Sequence, residues 1–290
     1  MTTRQHDEGE APDWRDLATS VRRRGVRQIA RDVLSAFDDN RILTYASAVS
    51  FQLVFALIPF VLAGVAVLGF LDLAEVWREE LGPRLQERVS DAVFQVVDRS
   101  VESVLGSQRG FWLTLGAALA LWELSGAVRA TMGALNDIYD IEDDRSFLRR
   151  MGVSFALALV LALLLGLAVL ALQLLPRLDF TGLAILAVPV AWLVAVLLMI
   201  LAIAVIMRFA PAAPQSMGWL GFGTLLVVLG WAIASTGFAA YAARIASYST
   251  IYGSLGVVIM LLTYIYISVL VLLGGAQVDQ LVRRYAGDGR

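Results

Sequence analysis

The chain has 290 residues, 59% of them apolar and 17% charged, with 23 basic against 25 acidic residues for a net charge of -2. An ordinary soluble domain carries about 25% charged residues, so these values, with a mean hydropathy of +0.73, exclude a soluble globular fold and a disordered chain. The absence of cysteine excludes a disulfide scaffold, and a single histidine, His6 in a polar N-terminal stretch, excludes histidine catalysis, haem ligation and most zinc sites.

Residues 1–12 read as a disordered polar tail, with no cleavable signal peptide before the first apolar run. Residues 13–40 read as an amphipathic helix. Trp14, Leu17, Val21, Ile29, Val33, Leu34 and Phe37 recur at spacings of three and four, and arginines fill the other faces. Such a helix suits the membrane interface, with Arg22, Arg23 and Arg27 reaching lipid headgroups. Packing on the protein's own cytoplasmic side fits the same pattern.

Six apolar runs long enough to cross a bilayer follow. They cover about 42–71, 111–135, 151–175, 183–207, 217–243 and 251–277. The predicted fold class is therefore all-α: a membrane domain over 41–280 with six transmembrane helices and a short tail at 281–290. Residues 72–110 are too polar to span. Their apolar stripe, broken at Gly82-Pro83, predicts two amphipathic helices in the first outer loop. Six spans put both termini on one side. With the termini inside, the inner segments hold 15 arginines and the outer ones seven, which favours cytoplasmic termini.

The intramembrane polar residues are the candidate site. A charge near the bilayer centre costs at least about 2.5 kcal/mol, so it must face protein or water. Glu123 lies about 18 Å into the second span, and Arg129 about 9 Å further on and about 240° around the helix. The two therefore do not share a face, and each needs a partner on another helix. Gln52, Ser50, Tyr264, Tyr266 and Asn136 complete the candidate substrate-binding set. Pro59 is a candidate hinge. Gly126, Gly253 and Gly256 are candidate packing or hinge positions, with Gly126, Ala130 and Ala134 forming a row of small residues that lets helices approach. No phosphate-binding loop of the lysine type is available without lysine, and Asp140, Glu142, Asp143 and Asp144 read as a solvated acidic loop rather than a metal site. No cofactor and no metal are expected.

Four stretches carry a family resemblance: DDNRILTYASAVSFQLVFALIP at 38–59, LWELSGAVRATMGALNDIYD at 121–140, RFAPAAP at 208–214, and YGSLGVVIMLLTYIYISVLVLLGGAQVD at 252–279. In these the chain resembles the YihY/BrkB family of bacterial inner-membrane proteins, once labelled ribonuclease BN. The resemblance covers about residues 30–280. It implies six transmembrane helices, an inner-membrane location, and an envelope-integrity or virulence-associated role, with lipid transport the usual suggestion. Family members often have Gly-Ala-Glu where this chain has Gly275-Ala276-Gln277. A role for that acid is thereby absent here or moved to Asp279.

Three functions follow as expectations. The first is transport or flipping of a lipid or other amphiphile through a polar intramembrane cavity, in which Glu123→Gln reduces transport without unfolding the protein. The second is a non-transporting envelope scaffold, and the third a membrane-embedded enzyme, for which one mid-membrane acid is too few. Ribonuclease activity is not expected. Membrane lipids are the expected partners and nucleic acid is not. The glycine rows permit a homodimer without requiring one.

Overall fold

A computed structural model describes residues 26–70, 76–86, 94–95, 98–99, 101–102, 109–175, 184–213, 217–244 and 254–287. These form helices joined by short connections. Helix α1 (Val26–Asp39) leads into α2 (Ile42–Phe70), which runs unbroken through a buried Pro59. A π-helical turn (Val76–Leu81) and the short α3 (Gly82–Gln86) follow, then α4 (Arg109–Tyr139), α5 (Phe147–Leu174), α6 (Ala184–Phe209), α7 (Met217–Arg244) and α8 (Ser254–Gly287).

The six long helices coincide with the six predicted runs to within a few residues, except that α8 continues past 277 to Gly287. Five of them are long and apolar enough to cross a membrane. The sixth, α4, has the length, about 46 Å at helical rise, but its polar residues dilute its apolar character. The predicted tail at 1–12, with Arg22 and Arg23, lies outside the described residues, as does Gly253. Much of the second predicted amphipathic helix of the 72–110 loop does too. In that loop Trp77 is buried and donates from Nε1 to Asp98 Oδ1 at 3.0 Å, tying the π-turn to the segment that follows.

Successive helices run in opposite directions and pack in a closed circuit. α2 lies against α4, α4 against α5, α5 against α6, α6 against α7, α7 against α8, and α8 returns to α2. α4 also touches α8 across the ring. The core is built where α2, α4 and α8 meet, from Ile42, Val49, Met132, Leu135, Ile138 and Leu273, with Met207 from α6. The outward faces of α5 and α6 are mostly apolar, with Leu163, Leu167, Leu170, Trp192, Leu193 and Leu197 exposed. Ser50, Ser125, Thr131, Asn136, Ser154, Thr224, Gln277 and Asp279 are buried. This inversion, apolar outside and polar inside, is what hydrocarbon solvent demands of a helix bundle.

Two turns fix the ends of the circuit. At Asn40-Arg41 the Arg41 N–H donates to Asp38 O at 3.0 Å, and its carbonyl accepts from Tyr45 N at 3.1 Å, so one residue at φ 50° closes α1 and opens α2. At the end of α4, Ile141 N–H reaches Asn136 O at 2.9 Å and Asp140 N–H reaches Asp137 O at 3.3 Å. This is the double-bonded helix terminator, with Asp140 at φ 57° in the place usually held by glycine.

Close approach on the α7–α8 side depends on Gly275. A Cβ there would fall 2.5 Å from Val227 Cγ2, and the branched valine has little freedom to yield. Gly275→Ala should therefore destabilise the bundle by about 1–3 kcal/mol, read as a lower thermal transition in detergent. Adding Val227→Ala should recover most of the loss; no recovery would mean that this contact does not set the helix spacing.

Candidate functional site

The α2–α4 interface repeats one device twice. Gln52 packs on Gly126, whose added Cβ would meet Gln52 Oε1 at 3.0 Å; Tyr45 packs on Gly133, whose added Cβ would meet Tyr45 Cε1 at 3.2 Å. Both pairs are seven residues apart on each helix, in opposite senses, as antiparallel neighbours require. Each glycine on α4 is a notch for a large polar side chain from α2. The notches keep Gln52 and Tyr45 inside the bundle and leave space beside them.

That space forms two adjoining cavities. The first, about 330 Å³, is lined by Gln52, Gly126, Arg129, Ala130, Phe147 and Arg150. The second, about 500 Å³, is lined by Tyr45, Gly133, Asn136, Asp137, Asp140, Ile141, Glu142, Asp143 and Arg150. Arg150, near the start of α5, belongs to both and joins them into one cleft between α2, α4 and α5.

Arg129 is held by neutral partners. Its Nη1 donates to Ser125 Oγ at 2.9 Å and to Ser154 Oγ at 3.2 Å, and its guanidinium lies 5.9 Å from the Trp122 ring. Among the described residues no carboxylate forms an ion pair with it. Gln52 Oε1 is buried without a hydrogen-bond partner among them. Tyr45 donates to Asp137 Oδ2 at 2.7 Å. Arg150 Nε lies 3.7 Å from Asp143 Oδ2.

Beneath this cleft the connections are locked together. Asn136 uses its whole amide: Nδ2 donates to Asp143 Oδ2 at 3.3 Å, and Oδ1 accepts from Ala212 N at 2.8 Å. Arg145 donates to the carbonyls of Ala210 and Pro211 and approaches Asp143 at 3.8 Å. The segment after α6 is thereby clamped to the loop after α4. On the other side of α4, Asp279 is fully buried. It pairs with Arg283 at 2.7 Å and accepts from Tyr139 at 3.3 Å. Asn40 Nδ2 donates to Gln277 Oε1 at 2.6 Å, and Tyr285 donates to Asp32 at 2.7 Å. These bonds fasten α1, α4 and α8.

The sequence-predicted residues are thus divided. Gln52 and Arg129 share the first cavity, with Gly126 as its floor, and Asn136 lines the second. Glu123 is half-buried and lines neither cavity. Ser50 is buried and returns its hydroxyl to Ala46 O at 2.6 Å. Tyr264 hydrogen-bonds Ser235 at 3.0 Å, a contact between α7 and α8, and Tyr266 packs against the core. Pro59 and Gly256 are buried, and Arg27 is exposed on α1. Tyr45, Gly133 and Arg150 were not singled out by sequence. The signal for the first two is the shared spacing of seven, Tyr45 with Gln52 and Gly133 with Gly126. Arg150 carries no comparable signal, because only the turn at 140–146 returns it to α4.

A family described as Virulence factor BrkB matches residues 33–290. The chain belongs to this family. Among curated relatives it is similar to a ribonuclease-like protein, YfkH, of Bacillus subtilis, 27% identical over 79% of this chain and 86% of that one. It is also similar to two proteins named UPF0761 membrane protein. That of Halorhodospira halophila is 25% identical over 83% of this chain, and that of Alkalilimnicola ehrlichii 26% over 89%. The matches span 54% and 60% of those two longer relatives. No solved structure is significantly similar. The quoted stretches 121–140 and 208–214 of this BrkB-family membrane protein are the partners in the Asn136–Ala212 clamp. The stretches 38–59 and 252–279 meet at Asn40 and Gln277.

The buried Asp279–Arg283 pair yields a stability test. Arg283→Ala leaves a carboxylate in the bundle without its countercharge and should cost about 3–5 kcal/mol. Arg283→Ala combined with Asp279→Asn should be milder than Arg283→Ala alone. Equal thermal transitions for the two variants would show that the pair is not coupled.

Proposed function

We propose that this BrkB-family protein moves a lipid or other amphiphile across the bacterial inner membrane through the cleft between α2, α4 and α5. All six long helices cross the bilayer in this reading, and both chain ends are cytoplasmic. The carrying observation is an open cleft between α2, α4 and α5 with charged and amide side chains on its walls. Gln52, Arg129 and Arg150 line its deeper part, and four acids line its mouth. A bundle with only a structural task gains nothing from leaving a guanidinium beside open space, since such a group is costly in hydrocarbon. Arg145, Arg149, Arg150, Arg208, Arg283 and Arg284 fall on the face of the 140–146 loop, which supports placing that face in the cytoplasm.

A second reading, a non-transporting envelope-integrity scaffold, draws on the interlocked contacts around Asn136 and Asp279. No enzymatic activity is proposed. The ribonuclease-like name of the Bacillus relative is therefore not carried over.

The test is movement of a fluorescent phospholipid between leaflets of proteoliposomes holding the full chain. Arg129→Gln should slow it at least about tenfold, the weight of one charged hydrogen bond. Glu123→Gln should keep most of the rate, a change from the sequence-based expectation, because Glu123 lines neither cavity. A wild-type rate for Arg129→Gln would sink the cleft as the path, and no movement by the wild-type protein would favour the scaffold.

A further inference from the structure

The cleft is electrically divided along its length. Its deeper cavity is lined by two arginines and no acid, while its mouth is lined by Asp137, Asp140, Glu142 and Asp143 with Arg150 as the only base. Some of these charges are already engaged. Asp143 faces Arg145 and Arg150, and Asp137 accepts from Tyr45. The others are open to a ligand. Among the described residues Arg129 has only serine hydroxyls as hydrogen-bond partners, and the exposed Asp140 and Glu142 form no ion pair.

We propose that the cleft binds a zwitterionic phospholipid headgroup, with the phosphate between Arg129 and Arg150 and the ammonium towards the acidic mouth. The proposal rests on the transport reading and names its substrate class. Arginine suits phosphate because its planar fork offers several donors at once, and Arg129 sits where hydrocarbon makes an uncompensated cation costly. A lone anion would satisfy the deeper cavity but meet repulsion at the mouth. A lone cation would meet the reverse. A headgroup carrying both charges in sequence matches both cavities, and Arg150, shared between them, marks where phosphate gives way to ammonium. A lipid rather than a free phosphoester follows from the transport reading on which the proposal rests, and the wall of the deeper cavity includes the apolar Phe147.

The experiment is equilibrium binding to the purified full chain in detergent, without transport. Short-chain phosphatidylethanolamine, short-chain phosphatidylglycerol and water-soluble glycerophosphoethanolamine are each titrated. The wild-type protein should bind the ethanolamine lipid at least about tenfold more tightly than the glycerol lipid. Arg129→Gln should weaken both lipids. Asp140→Asn with Glu142→Gln should abolish the preference by improving the glycerol lipid; asparagine tolerates the left-handed backbone at 140, and an unchanged thermal transition checks the fold. Tighter binding of the glycerol lipid by the wild type, or an unchanged preference in the acid variant, would overturn the zwitterionic assignment. Glycerophosphoethanolamine binding as tightly as the lipid would overturn the lipid. Failure of binding would leave the leaflet-movement result standing, and absence of leaflet movement would leave a headgroup preference measurable here.

Discussion

Hydrocarbon offers no hydrogen bonds, and the arrangement of this protein follows from that constraint. A polar group on a helix in the bilayer must be turned inward and given a partner, or be left beside water. Helix α4 carries the densest set of such groups, from Glu123 to Asp137, and it contacts α2, α5 and α8. The apolar faces of α5 and α6 close the sheath around it. Gly126 and Gly133 let α2 come close enough to bury Gln52 and Tyr45 against it.

The inward polar groups meet two different fates. At the end of α4 Asn136 bonds to both neighbouring loops, and on α8 Asp279 holds Arg283 and Tyr139 through Oδ2, while its buried Oδ1 has no hydrogen-bond partner among the described residues. A few residues away, Arg129 retains unused bonding capacity on the cavity wall. On α4 the contrast is between Asn136, bonded through both amide atoms, and Arg129, whose hydrogen-bond partners among the described residues are hydroxyls alone. It separates a fastened base from an open cleft and gives the transport reading its physical content.

The fold was legible in the sequence because length and apolarity decide it. Each long run had no alternative to a helix in hydrocarbon. The candidate site was legible only in part. Gln52, Arg129 and Asn136 stood out as polar residues in apolar surroundings, and all three line the cleft. Glu123 stood out for the same reason and lies elsewhere, because depth along a helix does not say which neighbour a face meets. Six residues separate it from Arg129, and that rotation takes it away from α2's glycine notches. Ser50 and Tyr264 were ambiguous for another reason: a hydroxyl can be satisfied locally, by Ala46 O in one case and Ser235 in the other. Arg150 looked like an ordinary flanking arginine. Its place in both cavities comes from the turn at Asp140, where an aspartate holds a left-handed conformation and sends the chain back along α4. Gln277 is a neutral partner for Asn40.

The central claim is that the space beside Arg129 is an aqueous cleft rather than a packing fault inside a solid bundle. The chain contains no cysteine, so single introduced thiols can be read without background. Ala130→Cys places a thiol on the wall of the deeper cavity, and Ala134→Cys places one on the same helix at a fully buried position. In intact membranes, a charged, membrane-impermeant thiol reagent supplied on the face of the 140–146 loop should modify the Ala130→Cys variant and spare the Ala134→Cys variant. If both variants resist the reagent from both faces, the cleft is closed and the transport account fails.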